Sequence, residues 1–342
     1  MAGGECVTRG EECVEVTRGG QVESRHLISA AVVDEQNRLL AQVGEPQLLT
    51  FLRSAAKPLQ ALPLLADGVA DSFGFSDAEV AICCASHSGE PAHLEAVQSI
   101  LDRIGCSEHH LVCGPHWPFH KGSAELLQQA GRLPTALHNN CSGKHVGMLA
   151  WSVHHGVGLD DYHHADHPVQ RRICREIGAW TGSACEAMQV AVDGCGVPSF
   201  AQPLNIMAGA YARIVAEAER DPVGAAGRIT RAMTSEPYFV GGTERLTSRL
   251  MAVTSGRLLA KYGAEAVYCL GERDRRWGIA VKVEDGHRRA VGSAVIELLS
   301  QLGLLTREEL QALSDRHTMS LPNTRGEVVG EIRPNFRVER FA

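Results

Sequence analysis

The chain has 342 residues, 44% of them hydrophobic and 21% charged, which excludes a disordered or fibrous chain and is ample for one large core. Its formal net charge is -7, with Lys and Arg scattered rather than clustered. That pattern argues against nucleic acid or an anionic membrane as partner and leaves a small molecule.

The first residues, MAGGECVTRGEECVEV, hold no apolar stretch behind a basic one, so no signal peptide is expected. No apolar run reaches the ~18 residues that span a bilayer. The expected compartment is the cytoplasm, and the 11 cysteines, which form no CxxC pair, are expected as reduced thiols. Residues 25–33 (RHLISAAVV) and 39–43, separated by the polar DEQN, predict a hairpin. Residues 54–65 carry apolar side chains at helical spacing, with Pro58 tolerable near a first turn. Ser76 and Glu79 form a capping box that opens a short helix towards Cys84. Residues 90–104 and 169–180 are amphipathic, and 223–234 is a weaker helical stretch. Near the other end, 266–270 and 277–283 read as strands, 292–302 as a helix and 326–332 as a further strand. The sum is one α/β unit over residues 1–342, its sheet built from both chain ends, with a helical subdomain at about 54–235 inserted between them.

Five segments carry reactive side chains. Ser54-Ala55-Ala56-Lys57 places a hydroxyl and an amine three apart, on one face of a helix. Lysine activates serine only when neutral, which near pH 7 asks for a pKa depression of ~3 units, ~4 kcal/mol. Burial or a second cation supplies it. SxxK alone equally describes a solvated helix residue. Cys84 to Glu90 (CASHSGE) offers Ser86 beside a cleft, or simply Ser88 or Gly89 as a cap. In HNNCSGKHVGM, residues 138–148, the Gly-Lys pair lacks the first glycine and the Ser/Thr of a phosphate loop, so that reading is rejected. Cys141 and Lys144 instead form a thiol–amine pair, or a capped helix start. DGCGVP at 193–198 is a rigid turn with an acid and a thiol, Asp193 and Cys195. Lys261-Tyr262-Gly263 precedes a strand, and GGTER at 241–245 ends in Arg245, a guanidinium suited to a carboxylate. There is no HExxH, and His163, His164 and His167 make only a small cluster.

Together these segments resemble the thermolabile L-asparaginases found in rhizobia, the class 3 asparaginases. The matching words are RSAAKP, CASHS, NCSGKHVGMLA, DHPVQ, DGCGVP and KxGA, in the family's order from about residue 15 to 300. The resemblance implies an α/β fold like serine β-lactamases and glutaminases, and hydrolysis of L-asparagine by a lysine-activated serine through an acyl-enzyme. It implies two pairs, Ser54 with Lys57 and Ser86 with Lys261, and a homodimer. It also implies zinc at Cys141, Lys144 and Cys195, assisting substrate binding rather than generating the nucleophile. Arg53, His145, Asp193 and Arg245 are the expected substrate-binding residues, with Asp193 at the ammonium and Arg245 at the α-carboxylate. Where lactamase-like enzymes carry Ser-x-Asn and Lys-Thr-Gly, this chain has Ser86-His87-Ser88 and Lys261-Tyr262-Gly263, which turns the expectation away from β-lactams. The alternatives are a related amide or lactam hydrolase such as a glutaminase, and a non-catalytic zinc or amino-acid binding protein.

Overall fold

The structure is a computed structural model that describes residues 12–341. The opening segment read for a targeting signal lies mostly outside those residues. The main sheet is antiparallel and has nine strands: β1 (Cys13–Arg18), β2 (Gln21–Val33), β3 (Leu39–Val43), then β7 (Leu258–Gly263), β8 (Val267–Glu272), β9 (Trp277–Val283), β10 (Met319–Pro322), β11 (Val328–Asn335) and β12 (Glu339–Arg340). Numbers four to six belong to a second, three-stranded sheet: β4 (Leu49–Phe51), β5 (Gln189–Val192) and β6 (Pro198–Pro203), in the order β4-β6-β5.

The main sheet runs β10-β11-β1-β2-β9-β8-β7, with β3 and β12 added beside the second half of β2. Strand β2 is the hinge of the design. Its first half pairs β1, and its second half pairs both β3 (Ala30 opposite Val43) and β9 (Ala31 opposite Ala280). The sequence reads accordingly. Residues 28–33 (ISAAVV) are buried at every position, as in a strand covered on both faces. Strand β8 is buried throughout and β9 nearly so, with the helices Leu204–Arg220 and Val291–Gln301 packed against them.

The expected hairpin, the β8–β9 pair, the capped helix Asp77–Cys83 and the helices Pro91–Arg103 and Pro168–Thr181 all form close to the expected bounds. Sheet strands come from both chain ends, as the α/β reading required. Four features differ from expectation. The interval 54–235, read as helical, also carries β5 and β6 of the small sheet. Lys261 lies within β7 rather than before a strand. The helix Leu204–Arg220 was not anticipated, because its small and apolar residues (LNIMAGAYARIVA) bury most of its circumference and leave only a short polar stripe. The thiols also depart from expectation: Cys174 and Cys185 are joined by a disulfide, while the eight other described cysteines are free and buried. Among the described residues, no helix is long and apolar enough to cross a membrane.

Candidate active site

Ser54 sits in a short 3-10 turn, Arg53–Ala56, that runs directly into the helix Lys57–Ala66. Arg53 holds φ at 49°, a left-handed conformation that a non-glycine residue adopts at some cost. The sharp turn presents Ser54 at the head of the helix. There the N–H groups of the first turn have no intrahelical acceptor, which is also why Pro58 fits.

Lys57 is fully buried, and its amine reaches sideways out of its own helix. It donates to the carbonyl oxygen of Ala85, to Ser86 Oγ at 3.1 Å and to the carbonyl of Asn140 at 3.2 Å. Three acceptors match the three donors of one ammonium group. Lys261 arrives from β7 and also meets Ser86 Oγ, at 2.9 Å, while donating to the Tyr262 carbonyl at 2.8 Å. Burial pushes the Lys261 pKa well below the ordinary lysine value, and the charge of Lys57 pushes it the same way. Both amines therefore converge on Ser86. The expected direct bond between Ser54 and Lys57 does not form: shared spacing on a helix brings side-chain bases together, but a lysine stem is long enough to leave its own helix.

Two glycines allow this convergence. A Cβ at Gly263 would lie 2.8 Å from the Leu52 carbonyl oxygen and 3.1 Å from Ala55 N, so only glycine lets β7 reach the Ser54 turn. A Cβ at Gly143 would lie 2.1 Å from the carbonyl oxygen of Ile82. That contact docks the segment 139–144 on the helix Asp77–Cys83, whose end continues to Ser86.

Ser54 and Ser86 line one half-open cavity of about 950 Å³, together with Asn140, Arg245 and Tyr262. The Arg245 guanidinium lies over the Phe119 and Tyr262 rings, 5.5 and 5.9 Å from their centroids. No carboxylate pairs with it among the described residues. Its loop is fastened to the Ser86 segment. Ser86 N donates to the Val240 carbonyl, Ser88 Oγ donates to the Gly241 carbonyl at 2.8 Å, and the Glu90 carboxylate accepts from Thr243 N and Oγ1 at 2.8 and 2.6 Å. Glu90 and Thr243 were not singled out from sequence. The visible signal was Glu90 at the start of a helix, where it caps in place of Ser88 or Gly89.

A second cluster adjoins the first. Lys144 Nζ donates to Cys195 Sγ at 3.0 Å, and Cys141 Sγ donates to Asn140 Oδ1 at 3.6 Å. The neighbouring Cys141 thiol, with the charge of Lys144, lowers the Cys195 thiol to about 4 against the penalty of burial. The same contact and burial push Cys141 up to about 12. A thiolate, a thiol and an amine facing one another form a donor set that fits a soft divalent ion such as zinc, although lysine is an uncommon ligand. Among the described residues, the one group of at least three His, Cys or carboxylate ligand atoms within 4.8 Å of one another is elsewhere, at Asp161, His163 and His164.

Of the expected substrate-binding residues only Arg245 lines the cavity; Arg53, Asp193 and His145 do not. Asp193 accepts from Arg53 Nε at 2.8 Å and from Gly194 N, both at Oδ1. Burial raises its pKa, but Lys144 and Arg53 outweigh that and hold it below the usual value. His145 is fully buried and bonds Tyr162 Oη at 2.6 Å through Nδ1. It stands behind the thiol cluster rather than on the cavity wall, because the helix Ser142–His154 is buried around that turn. His145 therefore does not reach the cavity.

Compared with known families, the chain matches L-asparaginase II over residues 14–334. The chain belongs to the L-asparaginase II family. Membership makes it an asparaginase-type hydrolase with a small-molecule substrate, and it bears out the resemblance read from the sequence. No curated protein matches the chain. Among solved structures it is similar to a β-lactamase from Mycobacterium bovis, with 15% identity over 80% of this chain and 94% of that one, at a TM-score of 0.41. A similarity that distant assigns no role to individual side chains of this L-asparaginase II family member.

Proposed function

We propose that the protein hydrolyses the side-chain amide of L-asparagine to L-aspartate and ammonia, with Ser54 as nucleophile. The observation that carries the reading is the convergence of two lysine amines on Ser86, in a cavity that Ser54 also lines. Lys261, whose protonated form burial and the charge of Lys57 disfavour, accepts the Ser86 proton. Lys57 donates to Ser86 Oγ, which leaves that oxygen one lone pair to take the proton of Ser54. Ser54 Oγ then attacks the amide carbon. The proton returns along the same path to the leaving nitrogen, ammonia departs, and water activated by Lys261 resolves the ester. The oxyanion is met by N–H groups of the first turn that begins at Arg53. Lys57 thus acts through Ser86 rather than directly on Ser54.

Arg245, unpaired and partly desolvated, takes the α-carboxylate. Asp193, whose Oδ2 carries no hydrogen bond, takes the ammonium, and Arg53 orients it. Cys141, Lys144 and Cys195 would hold zinc, which when bound would fix the position of this cluster beside Asp193; no step of the reaction passes through it. A cytoplasmic setting and a homodimer complete the proposal, carried by the family resemblance alone.

Ammonia release from asparagine, glutamine and a chromogenic lactam, compared by kcat/KM, tests the assignment. Preference for asparagine supports it. Preference for glutamine or the lactam transfers it to the related hydrolases, and no release from any of the three leaves a binding protein.

A further inference from the structure

The cavity is larger and more basic than asparagine requires. Its ~950 Å³ lies near the top of the ~300–1,000 Å³ range of pockets that enclose drug-sized ligands, and a free amino acid fills a small part of it. Four guanidinium groups line it: Arg245, Arg288, Arg289 and Arg316. Two of these are engaged. Arg289 donates to His26 Nε2 and Ser24 Oγ, and Arg316 contacts Asp315 and the Glu244 carbonyl. Arg245 and Arg288 have no hydrogen-bond acceptor or carboxylate among the described residues. Arg245 lies over the Tyr262 ring, and Arg288 lines the same cavity. Glu244 and Glu265 also line the cavity, but neither pairs with these two arginines. Two cations lining one cavity without a counter-ion form a receptor for two anionic groups.

Asparagine brings one carboxylate, which Arg245 takes in the reading above. A second carboxylate carried on the amide nitrogen leaves the α-carboxylate and the ammonium undisturbed. We infer that Arg288 forms a second anion subsite, and that the site also cleaves asparagine derivatives whose amide nitrogen carries an acidic group, the simplest being β-aspartyl amino acids. This rests on the asparaginase reading. The chemistry is unchanged: Ser54 forms an ester with the β-carbonyl, the C–N bond breaks, the amino acid leaves with the returned proton, and water releases aspartate.

The test uses the whole protein with asparagine, β-aspartyl-glycine and β-aspartyl-methylamide, the last lacking the second carboxylate. Wild type is expected to release glycine. Arg288→Ala should lower kcat/KM for β-aspartyl-glycine at least about tenfold, the loss of one charge-assisted pair, and leave the other two substrates within about twofold. Arg288→Lys should recover part of the loss. Because Arg288 is exposed and unpartnered, neither variant threatens the fold. Asparagine turnover without glycine release overturns the inference and leaves the asparaginase reading standing. A parallel loss on all three substrates also overturns it, since Arg288 would then belong to the α-carboxylate clamp. No turnover of asparagine overturns both readings.

Discussion

Replacing Lys57 by methionine tests whether one lysine keeps the other neutral. The two amines bond the same oxygen at 3.1 and 2.9 Å, so their nitrogens are at most about 6 Å apart. At that separation and an effective dielectric of ~20, two unit charges repel by about 3 kcal/mol, or about 2 pKa units. The sign follows directly. Lys57 disfavours protonated Lys261, so its removal raises the Lys261 pKa and shrinks the neutral fraction at any fixed pH below it. The acidic limb of kcat/KM against pH, measured by ammonia release, should therefore move upward by about 2 units. The substitution also leaves the Ala85 and Asn140 carbonyls short of a donor, at about 1–3 kcal/mol each, so thermal unfolding is measured alongside. An acidic limb that stays in place, in a variant that remains folded, would refute the coupling.

Other predictions follow from the same contacts. Glu90→Gln weakens the hold on Thr243 and with it the placement of Arg245; KM for asparagine should rise about tenfold with kcat changed far less, read from steady-state rates. Gly143→Ala forces a methyl group against the Ile82 carbonyl and should cost about 3 kcal/mol, seen as a lower denaturant midpoint without a change in slope. In metal-free protein at pH 7, Cys195 is a thiolate whereas Cys141 and Lys144 hold their protons. Zinc taken up by all three should then release about two protons, measured by calorimetry in buffers of different ionisation enthalpy; uptake without release would exclude Lys144 and Cys141 as ligands.

What the sequence makes legible is local. The β2–β3 hairpin shows because apolar runs flank a polar turn, and the helix Asp77–Cys83 because Ser76 and Glu79 cap it reciprocally. Helix Leu204–Arg220 is hidden, since a largely buried helix leaves little periodic contrast between faces. The site follows the same division. Each reactive word is visible, but their pairing is not, because it depends on contacts between segments remote in the chain. Ser54 and Lys57 look like a pair through proximity alone, yet Lys57 turns to Ser86, 29 residues on, and Lys261 reaches the same oxygen from 175 residues away. Glu90 and Thr243 stay hidden for the same reason, and so does the disulfide between Cys174 and Cys185.

The most direct measurement is to quench the protein during asparagine turnover and locate the covalent intermediate by peptide mass spectrometry. The aspartyl ester should fall on the peptide containing Ser54 and be absent both in Ser54→Ala and when Lys261, which serves both half-reactions, is replaced. An ester on Ser86, or full turnover in Ser54→Ala, would contradict the account.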